Sequence, residues 1–194
     1  MKMKKVLKLA VTLLCLLIFT AGCAGTKSKS EKNAARDEVR TMTAQTLDQL
    51  YQKEPATKGA VSNAAGYAVF RDFGFKVMVM GGAGGKGMAV NNTTKQETFM
   101  KMGEFQPGLG LGAEKYHIVL IFENSDAFNK FVTSGWEVGA NAMAAAKDDK
   151  GGGGGEAGAV TVSDVVKMYQ LSDTGAIVGV SITAAKYYKD DELN

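Results

Sequence analysis

The sequence predicts an α+β domain in which a helix packs on a curved, glycine-rich antiparallel β-sheet, with a second short helix and a closing hairpin. Three observations carry this expectation. Apolar residues recur at three- and four-residue steps between Ala35 and Leu50, the spacing of one helix face. From Gly66 onward the apolar period shortens to two, as in Phe73, Phe75, Val77 and Val79. Most of the 24 glycines of the 194-residue chain follow that change, where they thin a sheet and let it curve.

The first element is a leader over residues 1–22. Lys2, Lys4, Lys5 and Lys8 precede an apolar run from Leu9 to Phe19, the layout of a secretory signal peptide. The run is short for a membrane span, which needs about 20 apolar residues. Thr20-Ala21-Gly22-Cys23 resembles the lipobox of bacterial lipoproteins. That resemblance implies cleavage after Gly22 and acylation of Cys23. Ala24 after the cysteine resembles the sorting preference for the outer membrane, so the expected location is the bacterial cell envelope, lipid-anchored and facing the periplasm.

Cleavage changes the charge argument. Losing four lysines turns the formal net charge from +3 into −1, which removes the basic excess that nucleic-acid binding draws on. Cys15 leaves with the leader and Cys23 carries lipid, so neither of the 2 cysteines remains for a disulfide or a metal. No cofactor is expected.

Residues 23–30 read as a lipidated leash, residues 31–190 as one domain and residues 191–194 as a tail. Ser28 and Glu31 have capping-box spacing and open a helix over Lys29–Gln52, its stripe running through Ala35, Val39, Met42, Thr46 and Leu50. Pro55 and Gly59 are expected to end it. Phe73–Met80, Met88–Asn91, Thr98–Met102, Leu109–Ala113 and Tyr116–Phe122 are expected as separate strands, the last one central because it is apolar on both faces. Ser125 is expected to cap a short helix over Asp126–Val132. Val138–Ala146 reads as either helix or strand, and Lys147–Gly158 as a surface loop. Val165–Leu171 and Ala176–Thr183 form a hairpin around Ser172-Asp173-Thr174-Gly175.

Catalytic motifs are scarce. Gly82-Ala83-Gly84-Gly85-Lys86-Gly87 has G-x-G-x-x-G spacing, but a strand-like Met88-Ala89-Val90 follows where a nucleotide loop needs a helix; a hairpin turn with close strand packing is expected. His117, the sole histidine, has no cysteine or second histidine to share a metal, and is expected to be structural. An enzymatic reading would need a pocket in which His117 meets a nucleophile or a carboxylate. Asp148-Asp149 and Asp190-Asp191 read as solvated charge. The methionines of the strand segments read as core filler.

Four blocks, Ala65–Phe70, Gly81–Gly87, Pro107–Glu114 and Gly175–Ile182, occur in an order that resembles the SYLF domain family, over about residues 33 to 190. The resemblance implies a noncatalytic domain that binds acidic phospholipids, with an amphipathic segment at the position of the first helix and actin association in some members. Phe70-Arg71-Asp72 stands where the family has phenylalanine-proline. Lys27, Lys29, Lys32, Arg36 and Arg40 lie nearest the expected anchor and are the candidate contacts to anionic headgroups. The expected partners are membrane phospholipids; an envelope protein is the alternative, with lipid serving only as anchor.

Overall fold

The computed structural model describes residues 27–138, 159–178 and 184–194. The leader, Cys23, residues 139–146 of the ambiguous segment and the 147–158 run lie outside them. Among the described residues no helix is long and apolar enough to cross a membrane.

Helix α1 spans Lys29–Lys53 and begins at the predicted capping box. The Glu31 amide donates to Ser28 Oγ at 3.2 Å, and the Ser28 amide donates to Glu31 Oε2 at 2.7 Å. Its buried stripe is Val39, Met42, Thr43, Thr46, Leu47 and Leu50. The expected stop is only half right. Pro55 does break the helix, but a second helix, α2 (Ala56–Asn63), starts at once and carries Gly59 inside it. Asn92 closes α2 from outside, its Nδ2 donating to the Val61 and Ala64 carbonyls at 2.6 and 2.9 Å.

The expected string of short strands is replaced by two long ones, β1 (Gly66–Asn91) and β2 (Glu97–Phe122), paired antiparallel along their length with a register shift between Met78 and Met80. The glycine-rich string is therefore strand and not turn, and Pro107-Gly108 lies within β2. The turn falls at the Asn91-Asn92 signal, where Asn91 Oδ1 accepts from the Thr93 and Thr94 amides, both at 2.9 Å. The hairpin folds back on itself. The Asn92 amide donates to the Ala65 carbonyl at 3.0 Å, and a Cβ at Gly87 would collide with the Val69 carbonyl and the Phe70 ring. Glycine there lets the two halves of β1 touch.

Helix α3 (Ser125–Ser134) follows, capped by Asn124 and not by Ser125: Asn124 Oδ1 accepts from the Ala127 amide at 2.9 Å. Then come β3 (Trp136–Val138), β4 (Ala159–Ser163), β5 (Val166–Ser172), β6 (Ile177–Val178) and β7 (Ala184–Lys189). The closing hairpin is present as β5 and β6. β4 and β7 were not foreseen. β2 is the shared strand: one edge pairs with β1, the other with β7 over Met100–Phe105 and β5 over Tyr116–Phe122. Tyr116–Phe122 is thus central, as its two-sided apolarity predicts.

Alternation along β2 feeds two apolar layers. Val119 and Ile121 join Val39, Met42 and Leu50 of α1, while Ile118, Leu120 and Phe122 face the opposite layer with Phe128 and Phe131 of α3. Phe70, Phe122, Phe131, Trp136 and Tyr187 stack there with centroids 4.9 to 6.3 Å apart. Met100 and Met102 are buried in this layer, as expected of core methionines. The architecture is α+β, a curled antiparallel sheet of seven strands with helices on both faces.

Candidate functional site: the basic end of the first helix

The first fully buried residue of α1 is Val39; before it only Ala35 packs against the core, and Lys32 and Arg36 are half-buried. This end of the helix carries the five candidate basic residues, and the fold treats them unequally. Lys27 Nζ lies 3.2 Å from Glu192 Oε2. Lys29 and Lys32 make no ion pair among the described residues. Arg36 Nε donates to the Leu193 carbonyl at 2.7 Å, and Arg36 also donates to Asn33 Oδ1 at 3.1 Å. Arg40 pairs with Glu97 at 2.7 Å and with Asp37 at 2.8 Å. Its hydrogen bond to Glu97, and then that to Asp37, raise its pKa further.

Both guanidinium groups lie over the Phe99 ring, Arg40 at 5.4 Å and Arg36 at 6.0 Å from its centroid. Such contacts contribute about 0.5–1 kcal/mol at exposed sites. Phe99, Glu97, Lys95 and Lys189 join the two arginines around an open polar groove of about 490 Å³. Sequence spacing brings the five basic residues to one helix end; it says nothing of Phe99 and Glu97, which arrive from β2. The tail is also part of this assembly. Leu193 is buried, and Asn194 Nδ2 donates to the Phe99 and Asp190 carbonyls at 2.8 and 2.7 Å.

Asp190 corrects the reading of solvated tail charge. It is 2% exposed, and its Oδ1 lies 3.0 Å from Lys101 Nζ. That hydrogen bond raises the Lys101 pKa.

His117 is 5% exposed between sheet and helix, its Nδ1 3.0 Å from Thr46 Oγ1 and its Nε2 3.9 Å from Asp173 Oδ1. Burial first, and then Arg71 on the neighbouring strand, lower its pKa; Asp173 opposes them. Thr46, His117 and Asp173 thus stand in the order nucleophile, base and carboxylate. Thr46 is fully buried and its hydroxyl also contacts Met42 Sδ at 3.7 Å. Among the described residues no group of three or more His, Cys, Asp or Glu side chains could hold a metal ion.

The domain is thus an α+β unit with a basic, aromatic-backed helix end. Residues 103–194 match the model of the Ysc84 family, described as "Las17-binding protein actin regulator". Beta cell expansion factor A of Aeromonas veronii is 33% identical over 164 residues, covering 82% of this chain and 59% of that protein. The chain therefore spans just under three-fifths of this relative's length. It carries a Ysc84, or SYLF, domain.

Proposed function

We propose that the chain is a membrane-anchored, noncatalytic lipoprotein of the cell envelope whose SYLF domain engages anionic phospholipid headgroups. The observation that carries this reading is the start of α1, where the exposed Lys29 and the half-buried Lys32 make no ion pair among the described residues and follow Cys23 by six and nine positions. A lipid on Cys23 would hold these charges at a bilayer surface, where each contributes about 1 kcal/mol and falls off within a Debye length. Arg36 and Arg40 stand one and two turns further on; Arg36 is engaged by the Leu193 carbonyl and Asn33, and the charge of Arg40 is shared with Glu97 and Asp37. Headgroup binding should therefore be modest and salt-sensitive. The noncatalytic part of the reading is supported by the burial of His117 against Thr46.

Vesicle flotation of the unlipidated chain from Ala24 onward tests the proposal. Binding to phosphatidylglycerol vesicles should exceed binding to phosphatidylcholine vesicles, and Lys29→Gln with Lys32→Gln should remove most of the difference. Equal binding to both vesicles would reject the headgroup role.

The family description names a protein-binding regulator, which favours a second reading: an envelope lipoprotein that binds a protein and uses lipid only as anchor. Crosslinking in cells that retrieves one stoichiometric protein, together with no vesicle binding, would favour it.

A further inference from the structure

Moving away from the β1–β2 turn, the sheet face beneath α1 carries three successive cross-strand pairs: Met88 with Phe99, Lys86 with Lys101 and Gly84 with Gly103. The first pair is buried with Val39 and Met42. The second sets two lysines directly opposite each other, which destabilises an antiparallel ladder. Asp190 offsets Lys101 at 3.0 Å, whereas Lys86 makes no ion pair among the described residues. The third pair is bare. A Cβ at Gly84 or Gly103 would meet nothing within 4 Å, while one at Gly85 would lie 2.5 Å from the Arg71 carbonyl oxygen. Packing requires glycine at 85 but not at 84 or 103.

Gly84 opens into a cavity of about 420 Å³ between α1 and the sheet, within the usual size of a small-molecule site. Val39 and Met42 form its helix wall, and Gly84, Gly85 and Lys101 lie on its sheet side. Arg71 and Lys86, both exposed, stand at the rim with Tyr188, which is 43% exposed. Glu38 is an exposed acid at the same rim, and Asp72 is a buried one. An apolar interior beneath a rim with two cations that make no ion pair among the described residues complements an elongated apolar molecule that ends in an anion.

We propose that this cavity binds a single-chain acyl carboxylate, the chain lying over the bare Gly84–Gly103 strip against Val39 and Met42 and the carboxylate meeting Arg71 and Lys86. The site is separate from the helix end that would meet headgroups, so either reading can fail alone. The test is calorimetric titration of the full chain carrying Cys23→Ser with dodecanoate below its micellar concentration, and with methyl dodecanoate as the uncharged counterpart. Dodecanoate should bind at one site, at least tenfold more tightly than the ester. Gly84→Leu should weaken it at least tenfold with no fall in the unfolding midpoint, because the added side chain has open space. Gly103→Leu serves as the second blocking variant should Gly84→Leu unfold. Arg71→Gln with Lys86→Gln should weaken dodecanoate about tenfold and leave the ester unchanged. Absence of saturable binding, full binding by a folded Gly84→Leu or Gly103→Leu chain, or equal binding of acid and ester would each overturn the proposal. Flotation on phosphatidylglycerol vesicles that is also lost in folded Gly84→Leu would overturn it too, assigning the cavity to bilayer phospholipid instead of a free acid.

Discussion

His117 gives the domain a residue-scale dependence on pH. Its folded-state pKa lies below the ordinary histidine value of 6.5 because burial disfavours the imidazolium and Arg71 repels it. In the unfolded chain the ring accepts a proton more readily, so acidification favours unfolding. The stabilising contribution is complete above 6.5, declines as pH falls below it, and is gone once the folded pKa is passed. Urea midpoints measured from pH 7.5 to pH 5 should fall over that window, and His117→Gln should flatten this part of the curve. Asp190 provides a second test. Its burial and its contact with Lys101 mean that Asp190→Ala strands a partly buried ammonium and removes the acceptor of the Glu192 amide. A loss of about 1–3 kcal/mol is expected in chemical denaturation, with Lys101→Met costing at least as much because it leaves the more deeply buried Asp190 carboxylate without its cation.

At the scale of elements, the glycines separate into those that permit contact and those that merely occupy a helix. Gly59 sits inside α2 with nothing within 4 Å of a Cβ, so Gly59→Ala should stabilise by about 0.5–1 kcal/mol in thermal or urea unfolding. Gly87→Ala should do the reverse and more strongly, since its methyl would strike the Val69 backbone. This distinction also explains what the sequence made legible. α1 was readable to within a residue because its capping box and stripe are local signals. Tyr116–Phe122 was readable as central because both of its faces are apolar. The continuity of β1 and β2 was hidden, because runs such as Gly81–Gly87 look like turns until the partner strand is known, and their amides are satisfied by residues about 20 positions away. Arg36 and Arg40 were found as charges, but Phe99 beneath them was not, since a three-dimensional juxtaposition across more than 50 residues leaves no periodic trace.

For the whole molecule, the tail and the first helix form one assembly. Leu193 accepts from Arg36, and Asn194 Oδ1 accepts from the Phe99 amide at 3.1 Å. Deleting residues 191–194 should therefore lower the unfolding midpoint and speed amide exchange in the first turns of α1, while leaving the α3 layer protected. That outcome would separate the two apolar layers as units of stability. The same closure brings Lys27 and Glu192 to 3.2 Å of each other across nearly the full described chain. Dyes placed at these positions would begin at almost complete energy transfer, and unfolding would carry them apart by roughly tens of ångströms. The polypeptide thus holds a built-in optical ruler, in which loss of transfer records the release of its beginning from its end.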